Sequence, residues 1–217
     1  MEPTDILGNI KLYNADCMEV MKTFKDKQFD LAIVDPPYGI GVDGNKEQRW
    51  KDGSLKRKAH EIKGWDANIP TKKYWEQLFR VSKNQIVFGG NYFTEFLPPT
   101  KAWIFWYKGQ QGLTMSDGEM AWTSLKTVTR MVDIHRTHLW QEKPDHPTQK
   151  PVKLYKWLLQ NYAKEGDTIL DTHFGSLSIG IACHDMKFDL TAIELDADYY
   201  EQAKQRLINH QKQLTLF

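Results

Sequence analysis

Short apolar runs alternate along the chain with longer amphipathic stretches. Runs rich in Ile, Leu and Val that stop at acidic, proline or glycine residues predict buried β-strands. These runs are residues 30–34, 85–88, 168–170 and 190–193. Apolar residues at helical spacing predict helices between or after them, over residues 74–81, 152–163, 179–186 and 199–213. Pro151 and either Asp196 or Asp198 suit the starts of two of these helices.

The order of these elements predicts an α/β fold. A strand, a helix and a strand follow one another over residues 168–193, which is the order of a βαβ unit. Such units build a mostly parallel sheet with helices on both faces, and 217 residues suffice for a single domain over residues 1–217. Ligands of this fold class bind outside the carboxyl ends of the strands, so we expect the chemistry there.

Two stretches interrupt this alternation with Gly, Lys, Asp, Ser and Thr. They lie at about residues 41–70 and 107–145, and both are predicted surface insertions. Within the first, residues 46–63 hold seven Lys or Arg against three acids, although the whole chain is nearly balanced at 29 basic and 28 acidic residues. A solvated loop explains this excess as well as contact with nucleic-acid phosphates does. The candidates for phosphate contact are Lys56, Arg57 and Lys58.

The cysteines and the apolar content bound the cellular context. The chain has two cysteines, Cys17 and Cys183, and their wide separation predicts neither a disulfide framework nor a zinc site. No apolar run approaches the roughly 18 residues of a membrane span, and the first ten residues lack the pattern of a secretory leader. We therefore expect a soluble cytoplasmic protein that binds neither a metal nor a membrane.

The sharpest chemical signal is Asp35-Pro36-Pro37-Tyr38, directly after the first predicted strand. The prolines fix φ and lack N–H groups, so the carbonyls beside them meet no competing donors. The exocyclic amine of a nucleic-acid base is a poor nucleophile because its lone pair is delocalised into the ring. Asp35 and the Pro36 carbonyl could each accept one N–H of such an amine and stabilise the positive charge that develops on methylation. Tyr38 would stack on the base; a rigid turn with an incidental tyrosine is the plainer alternative.

A second signal lies at the turn after the third predicted strand. Asp171 is followed there by Gly175 and Ser176, whose small size lets the backbone approach a ligand at a helix N-terminus. Glu194 ends the next strand, where an acidic side chain can bind ribose hydroxyls. These residues predict a cofactor that carries adenosine, although a dinucleotide enzyme or a purely structural turn would use similar ones.

A third segment precedes the helix predicted over residues 152–163. Thr148 and Lys150 place a hydroxyl and a cation at the helix start, which suits the methionine carboxylate end of a cofactor. Taken alone, this segment is better explained as a loop that ends in proline at the first helical position.

Together the three segments resemble the β group of DNA amino-methyltransferases, in which the Asp-Pro-Pro-Tyr segment precedes the cofactor-binding segment. The resemblance covers most of the chain and implies a Rossmann-like methyltransferase fold with a circularly permuted motif order. It also implies S-adenosylmethionine as cofactor and double-stranded DNA as substrate, with the target base flipped out of the duplex. The implied catalytic residues are Asp35, Pro36, Pro37 and Tyr38. The implied cofactor contacts are Asp16, Cys17, Asp35, Thr148, Lys150, Asp171, Phe174, Gly175, Ser176 and Glu194.

Two features depart from the family pattern. Leu177 stands where the family turn usually has glycine, which is expected to change the geometry of the loop. The stretch available for target recognition, about residues 107–145, is short, so we expect a short or relaxed sequence readout. Arg130 and Arg136 in this stretch are candidates for nucleic-acid contact.

Several alternatives remain open at the level of the sequence. Aspartate rather than serine before the two prolines favours adenine N6 within the family, with cytosine N4 methylation and RNA adenine methylation as alternatives. A nucleotide-dependent oxidoreductase and a non-catalytic nucleic-acid-binding module are alternatives from other classes. The resemblance is also compatible with a homodimer and with a partner restriction endonuclease, but it specifies neither.

Overall fold

The computed structural model describes residues 1–41, 48–49, 55–57, 64, 66–112, 116–135 and 149–213. Its strands are β1 (Asp5–Leu7), β2 (Ile10–Asn14), β3 (Phe29–Val34), β4 (Gln48–Arg49), β5 (Leu55–Arg57), β6 (Ser82–Phe88), β7 (Trp103–Tyr107), β8 (Gly118–Thr123), β9 (Arg130–Asp133), β10 (Thr168–Asp171) and β11 (Asp189–Glu194). Its α-helices are α1 (Cys17–Met21), α2 (Lys72–Val81), α3 (Val152–Tyr162), α4 (Ser178–Met186) and α5 (Ala197–Gln211). The strands and helices predicted from the apolar pattern are thus all present, with bounds shifted by a few residues.

Nine of these strands form one mixed sheet, in the order β1-β2-β11-β10-β3-β6-β8-β7-β9. Its centre is parallel, because β2, β11, β10, β3 and β6 pair in parallel with their neighbours along that order. From β3 the chain continues outward to β6 on one side, whereas β10 continues to β11 on the other side. The carboxyl ends of β3 and β10 therefore flank the switch point at which open α/β sheets bind ligands.

Helices cover both faces of this sheet. Leu31 and Ile33 of β3 belong to a core cluster that includes residues of α3, α4 and α5. Ala32 and Val34 belong to a second cluster with residues of α1 and α2. Because successive side chains of a strand point to opposite faces, the two clusters are the two core layers of a three-layer fold. This arrangement confirms the predicted α/β architecture.

The structure differs from the sequence prediction at residues 107–145. This stretch was expected to be a surface insertion, but β8 and β9 lie within it and belong to the main sheet. β8 runs antiparallel between β6 and β7, so its main-chain groups are paired on both sides. Residues 48–49 and 55–57 form a separate two-stranded ribbon of β4 and β5. None of the helices within the described ranges is both long and apolar enough to cross a membrane.

The start of α5 shows how local sequence fixes an element. Asp196, rather than Asp198, is the N-cap, and its carboxylate accepts hydrogen bonds from the N–H groups of Asp198 and Tyr199 at 3.0 and 2.9 Å. Such a cap satisfies two N–H groups that a helix start otherwise leaves without partners. It holds the turn that follows Glu194, at the edge of the ligand-binding crevice.

Candidate active site

A cavity of about 1070 Å³ opens at the carboxyl ends of β3, β10 and β11. This volume slightly exceeds the roughly 300–1,000 Å³ found for small-molecule sites, so there is space for more than one small group. The residues assigned from the sequence that line it are Asp16, Cys17, Asp35, Pro36, Pro37, Tyr38, Lys150, Phe174, Gly175, Ser176 and Glu194. Positions far apart in the chain are thus brought to one crevice.

The segment after β3 is held in a fixed conformation. The Tyr38 hydroxyl donates a hydrogen bond to Asp35 Oδ1 at 2.6 Å. The backbone N–H groups of Tyr38 and Gly39 both donate to Asp66 Oδ1, at 2.6 and 2.9 Å. The buried carboxylate of Asp66, which sequence reasoning missed, therefore fixes the turn that presents Asp35 and Tyr38.

The Tyr38 ring lies against the end of β6. Gly89 has a φ of +64°, and a Cβ at this position would overlap the Tyr38 ring. The Tyr38 ring can therefore occupy this position only because Gly89 has no side chain. At the mouth of the cavity the Tyr38 ring stacks on Tyr92, with centroids 5.0 Å apart and planes at 15°.

The turn after β10 is connected to the end of β11 by Glu194. Its Oε2 accepts a hydrogen bond from the Gly175 N–H at 2.9 Å, and its Oε1 accepts from the Asp196 N–H at 3.0 Å. One carboxylate therefore orders two loops of the crevice and also faces the cavity. Burial raises the pKa of Glu194, and these backbone N–H groups oppose the rise.

The departure at Leu177 is accommodated within the turn. Leu177 adopts the left-handed conformation, with φ 55° and ψ 31°, which glycine would adopt more easily. Its side chain is fully buried, and Gly180 of α4 makes room for it because a Cβ at Gly180 would lie 2.6 Å from Leu177 Cγ. The two positions compensate each other, so a leucine occupies a glycine-like backbone position.

Replacing Gly180 by alanine is expected to lower the free energy of unfolding by up to about 2 kcal/mol. This net loss is the roughly 1–3 kcal/mol cost of overpacking a core less the roughly 1 kcal/mol that alanine gains over glycine inside a helix. Urea unfolding of the two proteins measures the difference. In a Leu177→Ala background, which removes the contact, Gly180→Ala should be neutral or stabilising. Equal destabilisation in both backgrounds would show that Leu177 is not the cause.

A buried polar chain lies beneath the same turn. The Tyr74 hydroxyl is 2.7 Å from Thr172 Oγ1, which is 2.9 Å from His173 Nδ1, and His173 Nε2 is 3.9 Å from Cys17 Sγ. Burial lowers the pKa of His173 to about 4, so the imidazole is neutral at physiological pH. Burial, together with the Asp16 charge, raises the pKa of Cys17 to about 12, so this thiol is not a nucleophile. These hydrogen-bonded side chains shape the cavity wall and remain uncharged at physiological pH.

Asp171 lies behind this turn as a buried carboxyl group. Its Oδ1 accepts a hydrogen bond from the His173 N–H at 3.0 Å. Burial raises the pKa of Asp171 to about 8, with a further contribution from the Asp35 and Glu194 charges. Asp171 therefore carries a proton at neutral pH in the absence of a nearby cationic ligand.

The free energy of unfolding is expected to fall by about 2 kcal/mol between pH 6.5 and pH 8 because of Asp171. Its pKa rises from 3.8 in the unfolded chain to about 8 on folding, so the folded state holds the proton more tightly and loses stability as pH rises through this range. His173 has the opposite dependence, but only between its folded pKa of about 4 and its ordinary value of 6.5. Chemical denaturation across pH 6.5–8 should show the fall, and Asp171→Asn should remove most of it. An identical pH dependence in both proteins would contradict the assignment.

Lys150 lines the cavity, where its ammonium forms an ion pair with Asp35 Oδ2 and lies 3.4 Å from Glu119 Oε2. A contact of Lys150 with the methionine carboxylate of a cofactor stays a prediction. The ammonium also lies 4.6 Å from the centre of the Phe88 ring. Glu119 of β8 in turn pairs with Lys108. Sequence reasoning missed Glu119 and Lys108 because they fall in the stretch taken for an insertion.

Five of the remaining assigned residues lie wholly or partly outside the described part of the chain. Thr148, Arg136 and Lys58 lie outside the described residues, and of Lys56 and Arg57 only the backbone, in β5, is described. Arg130 is the first residue of β9. Burial raises the pKa of Tyr162, the last residue of α3, and the positive charge of Arg130 partly offsets this rise. Arg130 therefore lies near the C-terminal end of α3. Among the described residues no group of three His, Cys, Asp or Glu side chains could hold a metal ion.

Comparison with known proteins gives consistent matches over most of the chain. The family model described as DNA methylase, of the N6/N4 type, matches residues 56–205. The type II methyltransferase M.HpaI of Haemophilus parainfluenzae is 23% identical over 241 residues, covering 91% of this chain and 74% of that protein. The type II methyltransferase M2.MboI of Moraxella bovis is 24% identical over 239 residues, covering 91% and 87%.

Two solved structures share the fold. The complex of M1.HpyAVI with SAM superposes with a TM-score of 0.61 at 19% identity, covering 91% of this chain and 99% of that one. The PvuII DNA methyltransferase, described as cytosine-N4-specific, superposes with a TM-score of 0.63 at 14% identity, covering 94% and 88%. At these identities the superpositions show a common fold.

Proposed function

The chain belongs to the DNA methylase family, whose model it matches over residues 56–205, and we propose that it methylates the N6 amine of adenine in double-stranded DNA. Its cofactor is S-adenosylmethionine, which leaves as S-adenosylhomocysteine. The observation that carries the proposal is a single cavity lined both by Asp35-Pro36-Pro37-Tyr38 and by the turn after β10. In this proposal the group that accepts from the amine and the loop that binds the methyl donor belong to the same cavity lining.

The reaction follows from these positions. The amine nitrogen attacks the methyl carbon of the sulfonium, the carbon–sulfur bond breaks, and its electron pair goes to sulfur. Asp35 accepts an N–H of the amine, so its negative charge stabilises the positive charge that grows on nitrogen. The Pro36 carbonyl accepts the second N–H, and Asp35 takes up the proton that the methylated nitrogen then loses.

The residues at the far end of the cavity fit the cofactor. Glu194 faces the cavity as an acceptor for ribose hydroxyls, while the start of α4 offers N–H groups to a carboxylate. Asp16 and Cys17 lie beside Glu194, since the N–H of Ala15 donates to the Glu194 carbonyl at 3.1 Å. We assign Asp16 and Cys17 to the rim that contacts the adenine ring of the cofactor, as the family resemblance implies.

The mouth of the cavity suits a base that has left its duplex. Tyr38 and Tyr92 offer stacked aromatic rings. Ile40, Tyr92 and Met120 remain 48%, 44% and 37% exposed around this opening. Apolar and aromatic surface at the entrance favours contact with an unstacked base, which a methyltransferase of this kind must extrude to reach its amine.

Product analysis tests the target. The protein is incubated with S-adenosylmethionine carrying a labelled methyl group and with duplex DNA, single-stranded DNA or RNA, and the nucleosides are then separated. We expect label in N6-methyladenine from duplex DNA. Label in N4-methylcytosine, or in RNA alone, would replace the proposal by the corresponding alternative.

The alternatives from other classes have less support. Family membership argues against a nucleotide-dependent oxidoreductase, and binding of S-adenosylmethionine but not NAD would exclude it. A non-catalytic DNA-binding module would leave the segment Asp35-Pro36-Pro37-Tyr38 without a role. The names of these two relatives, both type II methyltransferases, are compatible with a restriction endonuclease as a partner. A homodimer is also compatible with the family, and light scattering tests it by measuring the molar mass of the purified protein in solution.

The basic residues after the catalytic loop are proposed to contact DNA phosphates. Replacing Lys56, Arg57 and Lys58 together by alanine should weaken binding about equally for all DNA sequences. It should also flatten the plot of log affinity against log salt by about two to three units of slope, because fewer counterions are released. Fluorescence anisotropy with labelled duplexes at several salt concentrations measures both effects. An unaltered slope would support the solvated-loop alternative, and a changed sequence preference would place recognition in this stretch rather than in residues 107–145.

A further inference from the structure

Four charged side chains of alternating sign form a chain at the wall of the cavity. Asp35 Oδ2 pairs with Lys150, Lys150 lies 3.4 Å from Glu119 Oε2, and Glu119 Oε1 pairs with Lys108. These residues come from the end of β3, the segment before α3, the strand β8 and the end of β7. The Lys150 side chain is only 4% exposed, and those of Glu119 and Lys108 are 25% and 17% exposed. The charges are therefore partly or wholly shielded from water, where their interactions are stronger than at a surface.

Asp35 is held at both of its oxygens by this arrangement. Oδ1 accepts from the Tyr38 hydroxyl at 2.6 Å, and Oδ2 accepts from Lys150. The carboxylate plane is thus fixed before an amine arrives. A carboxylate has about four lone-pair positions, so two donors leave acceptor capacity for the amine.

Lys150 alone would weaken Asp35 as a catalytic group. A buried ammonium beside the carboxylate opposes the positive charge that develops on the amine nitrogen. Glu119 offsets this, because it adds a second negative charge on the other side of Lys150. Lys108 pairs with the second oxygen of Glu119, so the net formal charge of the four side chains is zero.

Building on the proposed function, we propose that Glu119 is a positioning residue for methyl transfer. It holds the Lys150 ammonium in place, and through that ammonium it fixes the orientation of the Asp35 carboxylate. Glu119 acts through Lys150 and not on the cofactor. Its removal should therefore impair the rate of the methyl-transfer step more than any binding step.

The ionisation of the pair supports this role. Burial lowers the pKa of Lys150, but the Asp35 and Glu119 carboxylates raise it by more, so it lies above its ordinary value. Burial raises the pKa of Glu119, but Lys150 and Lys108 lower it by more, so it lies below its ordinary value. Both groups are charged across the physiological range. The titratable groups around this pair are Asp35 and Tyr38 after β3, Lys108 after β7, Tyr155 on α3 and Asp171 at the end of β10.

Glu119→Gln tests the proposal, since it keeps the shape of the side chain and removes its charge. The single-turnover rate of methyl transfer is expected to fall about ten- to a hundredfold, with the dissociation constant of S-adenosylmethionine and the KM for DNA within about threefold. The alkaline limb of the rate profile should move to lower pH, because Lys150 has lost one of its two carboxylate partners. Glu119→Asp, which restores the charge, should recover most of the rate. Glu76→Gln on α2, whose side chain is 59% exposed, is the matched control and should leave the rate unchanged.

A double-mutant cycle separates positioning from direct catalysis. If Glu119 acts through Lys150, then Glu119→Gln should add no more than about a threefold loss in a Lys150→Met background. Multiplicative losses, or a weaker cofactor or DNA affinity at an unchanged rate, would overturn the proposal. If Glu119→Gln does not fold, as judged by thermal unfolding, Lys108→Gln decides, because it removes the second charge partner of Glu119, and an unchanged rate and pH profile in that variant would overturn the proposal. Absence of N6-methyladenine with the unmodified protein would instead refute the proposed function.

Discussion

Replacing Asp35 by alanine is expected to lower the rate of methyl transfer by about a hundred- to a thousandfold, while the affinity for S-adenosylmethionine stays within a few fold. Such a loss is typical when a group that stabilises developing charge is removed. In the proposed mechanism Asp35 accepts from the target amine and Glu194 from the cofactor ribose, and β10 separates the two strands that these residues follow or end. Lys150 would keep Glu119 as a charge partner, so the variant would not leave an isolated buried ammonium.

Two further variants sharpen this result. Asp35→Asn keeps the shape and one acceptor oxygen, and it should also lose most of the rate because the negative charge is gone. Asp30→Asn, at the opposite end of β3 and paired with Lys83, should keep its rate. Single-turnover transfer of a labelled methyl group and calorimetric titration of the cofactor provide the two measurements. Near-normal turnover of Asp35→Ala would remove Asp35 from the mechanism.

Replacing Glu194 by alanine is expected to weaken S-adenosylmethionine about ten- to a hundredfold. A hydrogen bond from a ribose hydroxyl to a charged acceptor contributes roughly 1.5–3 kcal/mol, which corresponds to this range. The variant also removes the acceptor for the N–H groups of Gly175 and Asp196, so both loops of the crevice lose a contact. The rate at saturating cofactor should change much less than the affinity.

The conservative variant distinguishes the two contributions. Glu194→Gln retains one oxygen acceptor at the loops but no charge, and we expect an affinity between those of the unmodified protein and the alanine variant. Glu201→Gln on α5, whose side chain is 64% exposed and paired with Lys204, serves as the control. Calorimetry gives the dissociation constants. If Glu194→Ala bound the cofactor normally, Glu194 would be only a connector between loops.

The sheet topology explains why Asp35→Ala should mainly lower the rate whereas Glu194→Ala should mainly lower the affinity for the cofactor. Asp35 follows β3 and Glu194 ends β11, with β10 between these two strands in the sheet. The methyl donor must reach from one side of this crevice to the other. Variants at the two ends should therefore differ in phenotype even though both residues line the same cavity.

The elements with local signals in the sequence were predictable without the structure. The strands that end at Asp35, Asp171 and Glu194 were predictable because a buried strand needs only a few apolar residues and a residue that stops it. A parallel sheet then brings strand ends to one edge whatever the intervening chain. For that reason Asp35-Pro36-Pro37-Tyr38 and Glu194 could be assigned to one crevice before the structure was known, and the cavity lining includes them.

The pairing of the buried charges, in contrast, is visible only in the folded protein. Lys150 could bind any anion near the start of α3, and neither its neighbours in sequence nor its spacing distinguish a cofactor carboxylate from Asp35, which lies 115 residues away. Glu119 was missed because β8 owes its place in the sheet to pairing with β6 and β7 rather than to an apolar periodicity of its own. Likewise, Leu177 became compatible with a glycine-like turn only through the space left at Gly180. Secondary structure depends on short-range pattern, whereas the partner of a buried charge depends on the complete fold, because only the folded chain excludes the water that would otherwise solvate it.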